Sequence, residues 1–247
     1  MVRLSLAYAA VFACASSAIV EPAMAGEKRA VLELFTSQGC SSCPAADKLL
    51  GELASDPSLV SISLPIDYWD YLGWKDTLAD PRHTARQRAY SGVRGDREVY
   101  TPQVVVNGSV HALGSSKSSI EKAVAKSRVN PATLSLPIEA SFANAGLSFS
   151  LPERGGLSAP AEVWIAATSR AVTVTMQRGE NRGKTITYHN VARRWVKIGQ
   201  WQGKANSWTI PVRDFAADGV DSAAVFVQSG TVEKPATILG ATSLVLR

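Results

Sequence analysis

The chain has 247 residues, 46% of them hydrophobic and 19% charged, enough apolar material for two domains with cores of their own. Its net charge of +5 is a mild basic excess with no nucleic-acid-binding motif beside it, so no nucleic acid is expected as a partner and the charge reads as a solvated face. Three cysteines are too few for a disulfide framework, and no repeat or low-complexity tract interrupts the chain.

The first 25 residues read as a secretory signal peptide. Arg3 gives a positive start, residues 4–20 form an apolar run, and Ala23-Met24-Ala25 offers a cleavage site before Gly26. The run is interrupted by Cys14, Ser16 and Ser17 and closed by Glu21-Pro22, short of the roughly 20 apolar residues that a span needs. A looser, lipoprotein-type site at Val11-Phe12-Ala13-Cys14 is the alternative. The expectation is an exported protein, periplasmic or secreted, with no membrane span in its mature form.

Cleavage leaves Cys40 and Cys43 as the only cysteines. Upstream, Val31-Leu32-Glu33-Leu34-Phe35 reads as a buried strand in which Glu33 is the one charged residue. Downstream, residues 45–53 read as a helix with Ala46, Leu49, Leu50 and Leu53 on its apolar side. A helix N-terminus favours a thiolate at the first sulfur, which points to redox chemistry. Outside the cytoplasm such a pair is an active or a structural disulfide. Structural zinc needs four ligands and no second Cys-x-x-Cys exists, so no metal and no cofactor is expected; Cu(I) handling by the two thiolates stays as a minor alternative.

A second strand is expected at residues 59–66, followed by an aromatic insert with Tyr68, Trp69, Tyr71 and Trp74 between Asp67, Asp70 and Asp76. These aromatics either cap a core or form a wall beside Cys40 that selects the substrate. A helix should open at Pro81 and run to Tyr90. Thr101-Pro102 opens a strand at residues 103–107, Asn107-Gly108 signals a hairpin, and Ser118-x-x-Glu121 suggests a capping box for a helix reaching Lys126. From Ala132 onward alternation replaces helical periodicity. Runs at residues 134–142, 147–151, 163–167, 172–176, 185–188, 195–198, 208–212 and 224–228 suggest an antiparallel sandwich. With Asn130-Pro131 as the joint, the expected division is residues 26–130 and 131–247. The densest basic patch runs through Arg178, Arg182, Lys184, Arg193, Arg194 and Lys197, either an ordinary charged face or a contact surface for the first domain or for an acidic partner.

The segment Tyr100-Thr101-Pro102-Gln103-Val104-Val105-Val106-Asn107-Gly108 resembles the cis-proline segment of the thioredoxin fold. Asp67-Tyr68-Trp69-Asp70-Tyr71-Leu72-Gly73-Trp74, Thr84-Ala85-Arg86-Gln87-Arg88-Ala89-Tyr90 and Arg178-Gly179-Glu180-Asn181-Arg182-Gly183-Lys184-Thr185 extend the likeness to most of the mature chain. Together they resemble an exported bacterial family with a thioredoxin-like domain, catalogued as domain of unknown function 1223. Pro65 departs from it, standing where a histidine is expected. The resemblance implies an α/β thioredoxin-like N-terminal domain joined to an all-β antiparallel sandwich. The thioredoxin likeness implies that Thr101 and Pro102 hold a substrate strand. In the exchange reading Cys40 attacks, Cys43 resolves and Tyr68, Trp69 and Trp74 line the groove. Glu33 either takes a proton from the second cysteine, as a buried acid does in many thioredoxin-like proteins, or is an edge carboxylate paired with Lys28 or Arg29. The expected activity is thiol–disulfide exchange on protein or peptide thiols, with an unknown redox partner. The competing reading is a non-enzymatic binding protein with a structural disulfide.

Overall fold

A computed structural model describes residues 28–143 and 145–246. The expected signal segment lies outside the described residues.

β1 (Ala30–Thr36) and β2 (Leu59–Pro65) are parallel, with Ala30 opposite Leu59 and Thr36 opposite Pro65. They are joined by α1 (Pro44–Leu53), where Pro44 sits in the first turn and needs no amide hydrogen. Alternation along β1 sends Ala30, Leu32 and Leu34 against Ala46, Leu49, Leu50 and Leu53 of α1, and sends Val31, Glu33 and Phe35 to the opposite face. α2 (Pro81–Arg94) covers that second face; Asp80 caps it by accepting from the Arg82 amide, and it stops at Gly95 in the left-handed region. β3 (Gln103–Val106) lies antiparallel to β1 and turns through Asn107-Gly108 into β4 (Val110–Leu113). α3 (Lys117–Ser127) is capped by Ser116, which accepts from the Ser119 amide, and not by the expected Ser118 box. Glu121 instead binds Arg29.

The second half comprises β5 (Glu139–Ala143), β6 (Gly146–Leu151), β7 (Ala161–Thr175), β8 (Thr185–Trp201), β9 (Asn206–Pro211), β10 (Ser222–Gly230) and β11 (Pro235–Val245). Runs expected as four separate strands fuse into β7 and β8, a long antiparallel hairpin with register shifts at Val163/Trp164 and Ala167/Thr168.

The expected fold class, a helix-flanked thioredoxin-like domain followed by a separate all-β sandwich, is corrected by the sheet order. One mixed eight-stranded sheet runs β11-β10-β7-β8-β2-β1-β3-β4, and β5-β6-β9 form a second, three-stranded sheet. β2 would be an edge strand in a free-standing N-terminal half. Instead it pairs in parallel with β8 at Ser63 and Val191, and all seven of its residues are buried. An open edge of that length exposes unpaired peptide groups, and β8 lies against it, bridged at Ser63 and Val191. The interior is continuous too: Val31, Phe35, Ile62, Tyr90 and Val105 share a cluster with Trp164, Phe226 and Ile238. A backbone bond crosses as well, since the Ile238 amide donates to Asn107 O. The three-stranded sheet covers the outer face of β7, β10 and β11 over Leu147, Phe149, Val163, Ile165, Trp201 and Val225.

Candidate active site

Cys40 and Cys43 form a disulfide, with their Cα atoms 5.4 Å apart. Cys43 is the N-cap of α1, so its sulfur stands at the end where helical amides lack partners. Cys43 is fully buried and Cys40 is 5% exposed, whereas Ser41 and Ser42 between them face solvent. The Ser42 hydroxyl lies 3.4 Å from Cys40 Sγ.

The loop before Cys40 is held from three directions through Gln38. Its amide donates to Asp76 Oδ2 at 2.7 Å, its side-chain oxygen accepts from Trp74 Nε1 at 2.8 Å, and its carbonyl accepts from Asn181 Nδ2 at 2.9 Å. The same Asn181 nitrogen donates to the Cys40 carbonyl at 2.8 Å, and Asn181 Oδ1 accepts from Lys184 Nζ. Asn181 belongs to the tip of the β7–β8 hairpin, which therefore packs onto the disulfide loop. Gly39 is needed for close approach: a Cβ there would come 3.1 Å from Trp69 Cβ and 3.2 Å from Trp69 O.

The Thr101–Pro102 peptide bond is cis. Thr101 Oγ1 accepts from Trp69 Nε1 at 2.8 Å, which ties the aromatic insert to the proline segment. Tyr68 donates to Gln87 Oε1, and Gln87 Nε2 donates to Tyr100 O and Gln103 Oε1. Trp69 stacks at a tilt on Tyr71, whose side chain is 76% exposed. The insert is thus bonded to both the disulfide loop and the proline segment, with part of its aromatic surface in solvent.

Glu33 lies on the face of β1 that points away from α1. Arg86 Nε donates to its Oε1 at 2.6 Å and the Tyr90 hydroxyl to its Oε2 at 2.5 Å. Arg86 reaches on to Gln228 Oε1, and its guanidinium carbon sits 4.7 Å from the Trp195 ring. Glu33 therefore ties α2 and β10 to β1.

The acids on the dithiol side are Asp47 and Asp76. Asp47 stands four residues after Cys43, on the same side of α1, with its amide bonded to the Cys43 carbonyl. Thr36 Oγ1 donates to its Oδ1, and its buried Oδ2 has no hydrogen-bond partner. Burial pushes the Asp47 carboxyl up to about 8. Burial likewise raises Asp76 to about 6, against the pull of amide bonds from Gln38 and Leu78. Tyr188 of β8 feels both carboxylates; burial drives its phenol upward, and its hydroxyl also lacks a partner. The signal for Asp47 in the sequence is its spacing, three residues before Leu50 and on the same side of the helix as the apolar stripe. Asn181 and Tyr188 carried no such local signal.

Among the described residues, no group of three or more His, Cys, Asp or Glu is placed to hold a metal ion, and no helix is long and apolar enough to cross a membrane.

The chain belongs to the family described as protein of unknown function (DUF1223), which matches residues 31–228. It is similar to the crystal structure of protein AGR_C_4864 from Agrobacterium tumefaciens: 31% identity, TM-score 0.79, covering 89% of this chain and 95% of that one. HBP35 of Porphyromonas gingivalis has a similar fold, with 12% identity and TM-score 0.59 over 89% of this chain and 76% of that one. No curated protein matches the chain.

Proposed function

We propose that this protein is an exported thiol–disulfide oxidoreductase acting on protein or peptide thiols through Cys40 and Cys43. The observation that carries the reading is the position of the pair: a disulfide whose second cysteine is the N-cap residue of a helix, with a buried carboxylic acid one turn further on. A helix N-terminus stabilises the thiolate that reduction produces.

In the reducing direction, the Cys40 thiolate attacks one sulfur of a substrate disulfide. The substrate S–S bond breaks, and its other sulfur leaves as a thiolate. Cys43 then gives its proton to the Asp47 carboxylate, the form this acid takes as pH rises through 8, and attacks Cys40 Sγ, so the mixed disulfide breaks and the Cys40–Cys43 bond forms. Two electrons pass from protein to substrate; in reverse, the protein oxidises a dithiol. An acid raised to about 8 is close to the ~8.5 of an ordinary thiol, so the proton moves between them in either direction at little cost. Thr101, cis-bonded to Pro102 and held by Trp69, is the segment offered to an incoming strand.

The test is trapping. Cys43→Ala should accumulate mixed disulfides through Cys40, and Cys40→Ala should accumulate none. Equal, slow alkylation of both thiols across the pH range would remove the assignment. The 5% exposure of Cys40 favours a second reading, a disulfide that only staples the loop.

A further inference from the structure

The β7–β8 hairpin reaches the disulfide with a tip that is basic and rigid. Between Gln177 and Thr185 it carries Arg178, Arg182 and Lys184 against one carboxylate, Glu180. Met176 is fully buried at its base, where the Met176 amide donates to Lys184 O and the Gly183 amide to Met176 O. Gly179 and Gly183 have φ of 75° and 80°, which tighten the turn. Gly179 also leans on the aromatic insert, since a Cβ there would meet Trp74 Cβ at 2.9 Å. Asn181 is 1% exposed and pinned to Cys40 O.

Arg182 is therefore the chain neighbour of a residue bonded to the Cys40 backbone, and Arg178 precedes the glycine packed on Trp74. Both are exposed, and among the described residues neither guanidinium takes part in a hydrogen bond or ion pair. Lys75, exposed beside Trp74, adds a fourth cation; Asp70, half-buried, accepts from the Asp76 amide. The turn that carries them is anchored, so only their side chains must order when they pair with carboxylates of a bound segment.

We infer that the hairpin tip is a specificity element that selects acidic polypeptide segments, those with Asp or Glu flanking a reactive cysteine, for exchange at Cys40. This rests on the exchange reading above. Carboxylates of a bound segment would fall within a Debye length (~8–10 Å) of the arginines, so the attraction acts on encounter and weakens with salt.

The test uses the reduced full-length protein and three disulfides: neutral bis(2-hydroxyethyl) disulfide, a peptide disulfide with Asp and Glu beside the cysteine, and its Lys counterpart. At low salt the acidic peptide should react about tenfold or more faster than the basic one, and the ratio should shrink at ~0.15 M salt. Arg178→Glu/Arg182→Glu should abolish or invert the preference while leaving the neutral disulfide within about twofold, and Arg178→Lys/Arg182→Lys should keep most of it. Equal rates for the two peptides overturn the inference. So does a charge reversal that slows all three reagents alike, which would mean that the tip only tunes the Cys40 thiol. Failure of the wild type to react even with the neutral disulfide overturns the exchange reading itself, and this inference with it.

Discussion

Asn181 holds Cys40 by its backbone: an amide nitrogen 141 residues along the chain donates to the Cys40 carbonyl at 2.8 Å. It also satisfies Gln38 O, so one side chain from the β7–β8 hairpin fixes the loop that presents the first sulfur. Asn181→Ala leaves two carbonyls and Lys184 Nζ without this partner. A buried unsatisfied group costs about 1–3 kcal/mol, so urea unfolding of the oxidised protein should show a loss of about 2 kcal/mol. Reduction of the disulfide by dithiothreitol should speed up at the same time. Unchanged stability and unchanged reduction rate would mean that the tip does not restrain the loop.

Asp47 makes stability depend on pH. Its carboxyl is raised from an ordinary value near 4 to about 8, so the folded protein holds a proton there that the unfolded chain has lost. The stabilisation is fully present below about pH 4 and is lost as pH rises through 8. Asp76, raised to about 6, adds a smaller loss between pH 4 and 6. Asp47→Asn should be nearly neutral in stability at pH 4 and stabilising at pH 8, by an amount on the order of a few kcal/mol. It should also slow resolution of the mixed disulfide by about 10²-fold or more, because the proton acceptor for Cys43 is gone. Melting curves across pH check the first effect and stopped-flow single turnovers the second. A variant that resolves at the wild-type rate would take Asp47 out of the chemistry.

Trp69 separates packing from substrate handling. Trp69→Phe keeps most of the ring but deletes the Nε1 bond to Thr101. Stability should fall by about 1 kcal/mol. Exchange with a peptide disulfide should slow several-fold, and exchange with a small neutral disulfide should barely change. Equal slowing of both would show that the bond supports the loop and not an incoming strand.

Glu33 should behave as a structural residue. Glu33→Gln leaves the Arg86 guanidinium buried without its counter-ion, a change that costs about 3–5 kcal/mol in denaturant unfolding. Exchange rates of the fraction that remains folded should stay within about twofold of wild type. A large, pH-dependent rate loss in folded protein would restore Glu33 to the chemistry.

What the sequence made legible is what short-range physics decides. A strand, Cys40-Ser41-Ser42-Cys43 and a helix opened by Pro44 follow one another within 24 residues, and the Asn107-Gly108 turn announces its own hairpin. The pairing of β2 with β8 left no such mark. Period-two alternation says which face of a strand is buried but not which edge finds a partner, and Ser63 meets Val191 across 128 positions. For the same reason the charged tip leaves both a solvated face and a contact with the first half open in the sequence, since the side-chain bonds that tie it to the disulfide loop come from one asparagine. Glu33 and Asp47 are both carboxylates next to apolar residues; Asp47 stands on α1 itself, and only the facing of β1 puts Glu33 on the opposite side.

Exchange requires that the Cys40–Cys43 bond open and close reversibly, and its equilibrium with a glutathione buffer tests that most directly. The helix-cap position and the acid at Asp47 predict a reduction potential between about −120 and −270 mV, the range of working redox pairs. A potential below about −300 mV would contradict the exchange reading and leave the disulfide as a staple of the loop.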